Sequence, residues 1–203
     1  VNELFSCGVQ DVIVKDFHRT GYNLIPEWID PRAKIVSGYK IGPVPGIGDP
    51  GTAEAVIFLG LHAASGSDGF LSHTLTSRIQ QLKVNGKLLP EVALFSASLA
   101  PFGIRPVFFS GCPIACRQAQ QVISGIQVHP IDKSSGPENF DLYRWRKDLS
   151  MAATASLDCS HIEVYDPKGP FKTTLTWQNG GRSAKQLAQR WGFVSNGEQI
   201  LLD

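Results

Sequence analysis

One stretch narrows the choice of fold more than any other. Ala55-Val56-Ile57-Phe58-Leu59-Gly60 is an apolar run without alternation, and the loop after it carries two histidines, His62 and His73. A run of strand length with no polar face predicts a strand covered on both sides, as in the centre of an α/β sheet. His62 stands just past its carboxyl end. Open α/β sheets carry ligands at that edge, because the loops there set polar groups over a rigid floor.

The rest of the chain supports this class. Residues 9–15 read as a second strand ending in Asp16-Phe17-His18, so another histidine falls at a strand end. Residues 33–37 are a third strand. The Gly- and Pro-rich residues 42–51 are an irregular loop between strands, too short for a linker. Residues 79–89 predict a hairpin turning at Asn85-Gly86, where both positions tolerate positive φ. Pro90 then opens a helix over residues 91–100, which places Glu91 in its first turn.

Further on, the pattern gives a strand at 105–110, a helix from Cys112-Pro113 to about Ser124, a short strand at 126–130 and a long helix over 138–157. The tail reads as strands at 161–165 and 171–177, a helix at 183–191 and a hairpin turning at Asn196-Gly197. The alternation predicts a three-layer α/β/α fold with a mixed, mostly parallel sheet, plus a small C-terminal α+β part. Residues 1–130 are expected to form the core, and residues 131–203 to complete or flank it. Residues 1–7 read as the end of an amphipathic helix stopped by Gly8. The core is therefore expected to lack an N-terminal strand and part of its first helix.

Composition excludes several classes. The net charge of +1 makes no electrostatic case for nucleic acid or an anionic membrane. No apolar run approaches the roughly 20 residues that span a bilayer, and the first residues lack the basic opening and apolar middle of a secretory leader. Four cysteines are too few for a disulfide scaffold. The expected location is the cytoplasm.

Two kinds of chemistry suit the polar residues at the strand ends. His18, His62 and Glu91 are of metal-ligand type: two follow strands, one opens a helix, and all three could meet at one sheet edge. Two histidines and a carboxylate, with water in the fourth place, form a common catalytic zinc set. His73, between Ser72 and Thr74, could move protons or attack directly. Each also has a plainer reading. A lone histidine is more often structural, and His73 could be a surface residue held by its hydroxyl neighbours. Cys112 and Cys116 stand at helical spacing without a partner cluster, and His129 and His161 lie in apolar strand runs; these four read as structural. No phosphate-binding loop, dinucleotide fingerprint or nucleophile elbow is present.

Taken together, the phrases are more specific. Phe58-Leu59-Gly60-Leu61-His62-Ala63 and Leu71-Ser72-His73-Thr74 resemble the zinc-dependent D-aminopeptidases encoded with dipeptide-transport genes. In that family, similar Leu-Gly-Tyr-His-Ala and Met-Ser-His phrases supply a zinc ligand and the catalytic histidine. Val14-Lys15-Asp16-Phe17-His18 is similar to another ligand-bearing phrase, and Val84-Asn85-Gly86-Lys87 with Glu91 to the family's hairpin and ligand glutamate. The successive steps from His18 to His62, from His62 to His73 and from His73 to Glu91 are 44, 11 and 18 positions. The likeness runs over residues 2–125 and continues weakly beyond.

The resemblance implies a metal-dependent hydrolase that removes N-terminal D-residues from short peptides, holds two zinc ions per subunit and assembles into a cytoplasmic ring. By position His18, His62 and Glu91 would be ligands and His73 catalytic. One departure stands out. The family opens with a strand ending in Asp-x-Glu-Gly whose acids ligate zinc, and no Asp-x-Glu occurs in these 203 residues. The expectation is that the natural protein begins further upstream; without those acids, the chain would hold one zinc or none. Two rivals share the scaffold: a related metal-dependent amidase acting on another small amide, and an inactive remnant that keeps only fold and oligomer.

Overall fold

The computed structural model describes residues 1–18, 23–134, 136–158 and 161–202. Along the chain come α1 (Asn2–Ser6), β1 (Ile13–Lys15), β2 (Lys34–Val36), β3 (Ala55–Leu59), β4 (Ile79–Val84), β5 (Lys87–Leu88) and α2 (Glu91–Leu99). They are followed by β6 (Arg105–Ser110), α3 (Pro113–Val122), β7 (Gln127–Val128) and α4 (Leu142–Ala155). The last elements are β8 (Thr173–Trp177), α5 (Gly180–Trp191), β9 (Val194–Asn196) and β10 (Gln199–Leu202).

The parallel part of the fold is a three-stranded sheet in the order β3-β6-β7, with β1 and β2 as a separate parallel pair. Side chains alternate across the three-stranded sheet, as the strand period of two requires. Phe58 and Phe109, paired in register, face Val92, Phe95 and Leu99 of α2 and Ala115, Cys116 and Ala119 of α3. Ile57 and Phe108, the preceding pair, face Leu149, Ala152 and Ala153 of α4. Helix, sheet and helix therefore stack as three layers, the expected α/β class.

The central strand is not the expected one. β6 is buried almost throughout, whereas β3 pairs only with β6 among the described residues and leaves Leu59 60% exposed. An apolar run reports that its residues are covered, not which strand lies beside it.

A second sheet is antiparallel, in the order β5-β4-β8-β10-β9. Its inner face, Ile79, Leu82, Leu175 and Ile200, packs on Ala184 and Ala188 of α5. It takes strands from both sides of residue 130: β4 pairs with β8 from Ile79↔Trp177 to Val84↔Thr173. The β4–β5 hairpin turns through Asn85 and Gly86 at φ of 50° and 80°, as read from the sequence.

Two local expectations are corrected. Residues 161–165 form no strand; Ile162 instead plugs the layer beneath Val107 and Phe108. The helix expected over 138–157 is a 3₁₀ turn, Pro137–Asn139, followed by α4. Asp141 sets that start by accepting the Arg144 N–H at 2.9 Å, the usual role of an aspartate at a helix N-terminus. Tyr22 and Ser135, which fall in expected loops, lie outside the described residues.

Candidate active site

The strand β3 ends at Gly60, whose N–H bonds the Ser110 carbonyl of β6 at 2.7 Å. The chain then enters the loop that bears both histidines, and side chain–backbone bonds fix its course. Gln118 of α3 accepts the Ala64 N–H at 2.8 Å. Ser65 and Thr74, both buried, bond reciprocally: Ser65 N–H to Thr74 Oγ1 at 3.1 Å, and Thr74 N–H to Ser65 Oγ at 2.7 Å. Thr74 Oγ1 donates onward to the Leu89 carbonyl at 3.2 Å. The His73 N–H bonds the Ala63 carbonyl at 3.0 Å. The loop closes on itself, and the rings of His62 and His73 come to 4.6 Å between centroids. Leu71 and Leu75, on either side of His73, take left-handed φ of 49° and 61°, strained conformations for branched side chains.

Each histidine is held by the same nitrogen. His62 Nδ1 meets the Phe70 carbonyl at 3.0 Å, and His73 Nδ1 meets the Leu71 carbonyl at 2.8 Å. A carbonyl only accepts, so in both rings Nδ1 carries the proton and the neutral ring turns a lone pair outward on Nε2. His18 Nδ1 meets Asp16 Oδ1 at 3.1 Å, the carboxylate–imidazole pairing that orients metal-binding histidines.

Asp16 is itself buried and densely bonded. It accepts the N–H groups of His18 at 3.0 Å, Asn23 at 2.6 Å and Leu24 at 3.3 Å. Burial alone would raise its carboxyl, but the bonds from Asn23, His18 and Leu24 outweigh burial and hold it below the usual carboxylate range.

Glu91 is the first residue of α2 and is buried. Its Oε1 accepts the Leu75 N–H at 2.9 Å, tying the start of α2 to the segment that carries His73. His18 reaches the same helix through its neighbour. Phe17 packs edge-on against Phe95 at 4.3 Å, one turn after Glu91. The structure thus brings His62 and His73 into contact, links Glu91 to their loop and hangs His18 beside α2 with its side chain 72% exposed. Among the described residues no three His, Cys, Asp or Glu side chains are grouped closely enough to hold one metal ion. The donor chemistry suits zinc, with carbonyl- and carboxylate-oriented imidazoles and a buried glutamate.

A pocket of about 720 Å³ opens beside His62, over the carboxyl ends of β3 and β6. Residues 1–195 match the D-aminopeptidase family. The chain belongs to that family. A curated D-aminopeptidase from Bacillus subtilis (strain 168) is 26% identical over 136 residues, 66% of this chain and 49% of the relative. The chain thus matches about half the length of that relative. Among solved structures it resembles the Zn-dependent D-aminopeptidase DppA from Bacillus subtilis, described as a self-compartmentalizing protease. That likeness has a TM-score of 0.84 at 18% identity and covers 99% of this chain and 75% of the other. It establishes a shared fold.

Sequence reading overlooked the groups that hold these D-aminopeptidase-family histidines in place. Asp16 could have been found, since an aspartate two residues before a histidine at a strand end is spaced to bond it. The Ser65–Thr74 pair and the carbonyls of Phe70 and Leu71 gave no such sign. Of the structural candidates, Cys116 is buried, with burial pushing its thiol up, and its Sγ lies 3.5 Å from the Gly111 carbonyl. His129 packs 5.8 Å from Trp145.

Proposed function

We propose that this protein is a zinc-dependent aminopeptidase that removes N-terminal D-amino acids from short peptides. The observation that carries the reading is the contact between His62 and His73, both held through Nδ1 at one strand edge of a chain that matches this family. In this proposal His18, His62 and Glu91, which are not yet grouped around one point, would close up to hold the zinc. A zinc so held would supply Lewis-acid chemistry, polarising a carbonyl and acidifying a water.

The chain's own residues supply the rest. Asp16 and the Phe70 carbonyl aim the imidazoles of His18 and His62. His73, with Nδ1 occupied by the Leu71 carbonyl, presents Nε2 as the proton acceptor beside the scissile amide. The Glu91–Leu75 bond and the Ser65–Thr74 pair keep His73 from drifting away from His62. Positioning of this kind lowers the entropy cost of reaching the reactive arrangement.

We also infer a homo-oligomer in the cytoplasm. In support, Trp28 and Ile41 are apolar residues exposed at 80% and 87%, and the solved relative is described as self-compartmentalizing. Cys7, Cys112 and Cys116 are free thiols, which suits a reducing compartment. No helix among the described residues is long and apolar enough to cross a membrane.

The test is hydrolysis of D- and L-aminoacyl dipeptides, with and without a chelator. The proposal predicts release of the N-terminal D-residue, loss on chelation and recovery with zinc. Hydrolysis that survives complete zinc removal contradicts it.

A further inference from the structure

The pocket beside His62 contains a cation that the proposed reaction does not use. Lys133 Nζ lies over the Phe70 ring, 4.5 Å from its centre. Phe70 is also the residue whose carbonyl holds His62 Nδ1. One residue therefore contacts the imidazole through its backbone and the ammonium through its ring. Lys133 is the one lysine or arginine lining the pocket among the described residues, and no carboxylate there pairs with it. Its neighbour Asp132 accepts the Ser134 N–H at 2.9 Å instead. The surroundings are otherwise largely apolar, including Leu61, Ile114, Ile131 and Trp145.

We propose that Lys133 is the carboxylate anchor of this pocket, binding the free C-terminal carboxylate of a short peptide whose scissile amide lies at His62 and His73. This rests on the aminopeptidase reading and adds a specificity determinant to it: recognition of the peptide's free C-terminus by Lys133. Lys133 is exposed, and the aromatic face holds its ammonium at the rim of the pocket. An ammonium there can make a charge-assisted bond to a carboxylate. Two carboxylates, Asp68 and Asp132, line the same pocket and oppose a doubly charged anion more than a singly charged one. The anchor is therefore matched to a single carboxylate rather than to a phosphate.

The experiment is calorimetric binding to the full chain of a hydrolysis-proof ligand, the ketomethylene isostere of D-alanyl-D-alanine, against its C-terminal amide. The wild type is expected to bind the acid about 10-fold more tightly than the amide, the range of a hydrogen bond to a charged group. Lys133→Met should bring the acid down to the level of the amide, and Lys133→Arg should keep the preference. Equal binding of acid and amide, binding of neither, or a preference that survives Lys133→Met overturns the anchor. These readouts need no turnover. Intact acid preference in a protein without peptidase activity would sink the aminopeptidase reading alone, and hydrolysis without acid preference would sink the anchor alone.

Discussion

His62 and His73 face each other with ring centroids 4.6 Å apart, each with Nδ1 committed to a backbone carbonyl. In the proposed reaction the shared tautomer leaves one Nε2 for a metal and the other for a proton. His73→Gln should therefore lower kcat by about 10²- to 10⁴-fold, the usual worth of a positioned general base. Zinc content should stay at the wild-type level. Steady-state kinetics with metal analysis on the same samples checks both.

Thr74 is the hinge of the arrangement, because its hydroxyl accepts from Ser65 and donates to Leu89 inside the protein. Thr74→Val keeps the shape and strands the Ser65 N–H and the Leu89 carbonyl. The expected cost is about 1–3 kcal/mol in urea unfolding. With His73 less well held, kcat should fall more than KM rises, and Thr74→Ser should restore both.

Asp16 connects the first strand to the site. Asp16→Asn sets an amide against backbone N–H donors and removes the negative partner of His18. Zinc affinity, measured by competition with a chromogenic chelator, should drop about 10- to 100-fold, the usual effect of removing a carboxylate that orients a ligand histidine.

The Asp30–Arg32 pair predicts a pH effect away from the site. Side-chain and backbone bonds from Arg32 bring the Asp30 carboxyl down from the ordinary 3.8 to about 2. A carboxyl depressed on folding contributes stability in full above its unfolded value, and that contribution is lost as pH falls through the folded one. The window runs from about 3.8 down to about 2. The NMR-detected titration of Asp30 should have its midpoint near 2, and Arg32→Gln should move it up.

Much of this was legible in the residues. The strand-then-histidine pattern placed His18 and His62 past strand ends, and Asn85-Gly86 announced its turn, because both signals are local. What stayed hidden depends on distant partners. That β4 would pair with β8 is written in no short stretch, since either strand could pair elsewhere. Residues 161–165 carry strand-like apolar residues, but Ile162 is buried by packing alone, with no ladder beside it. Within the site, residue types named the chemistry, whereas Ser65, Thr74 and Asp16 act through backbone groups whose positions only the fold fixes.

The central claim is that zinc binding draws His18, His62 and Glu91, which stand on three separate segments, onto one ion. X-ray absorption at the zinc edge of the metal-loaded protein tests it most directly. The account predicts two imidazoles per zinc, one in either His18→Ala or His62→Ala, and a lost oxygen ligand with weaker binding in Glu91→Ala. Zinc that keeps the wild-type spectrum in all three variants would contradict it.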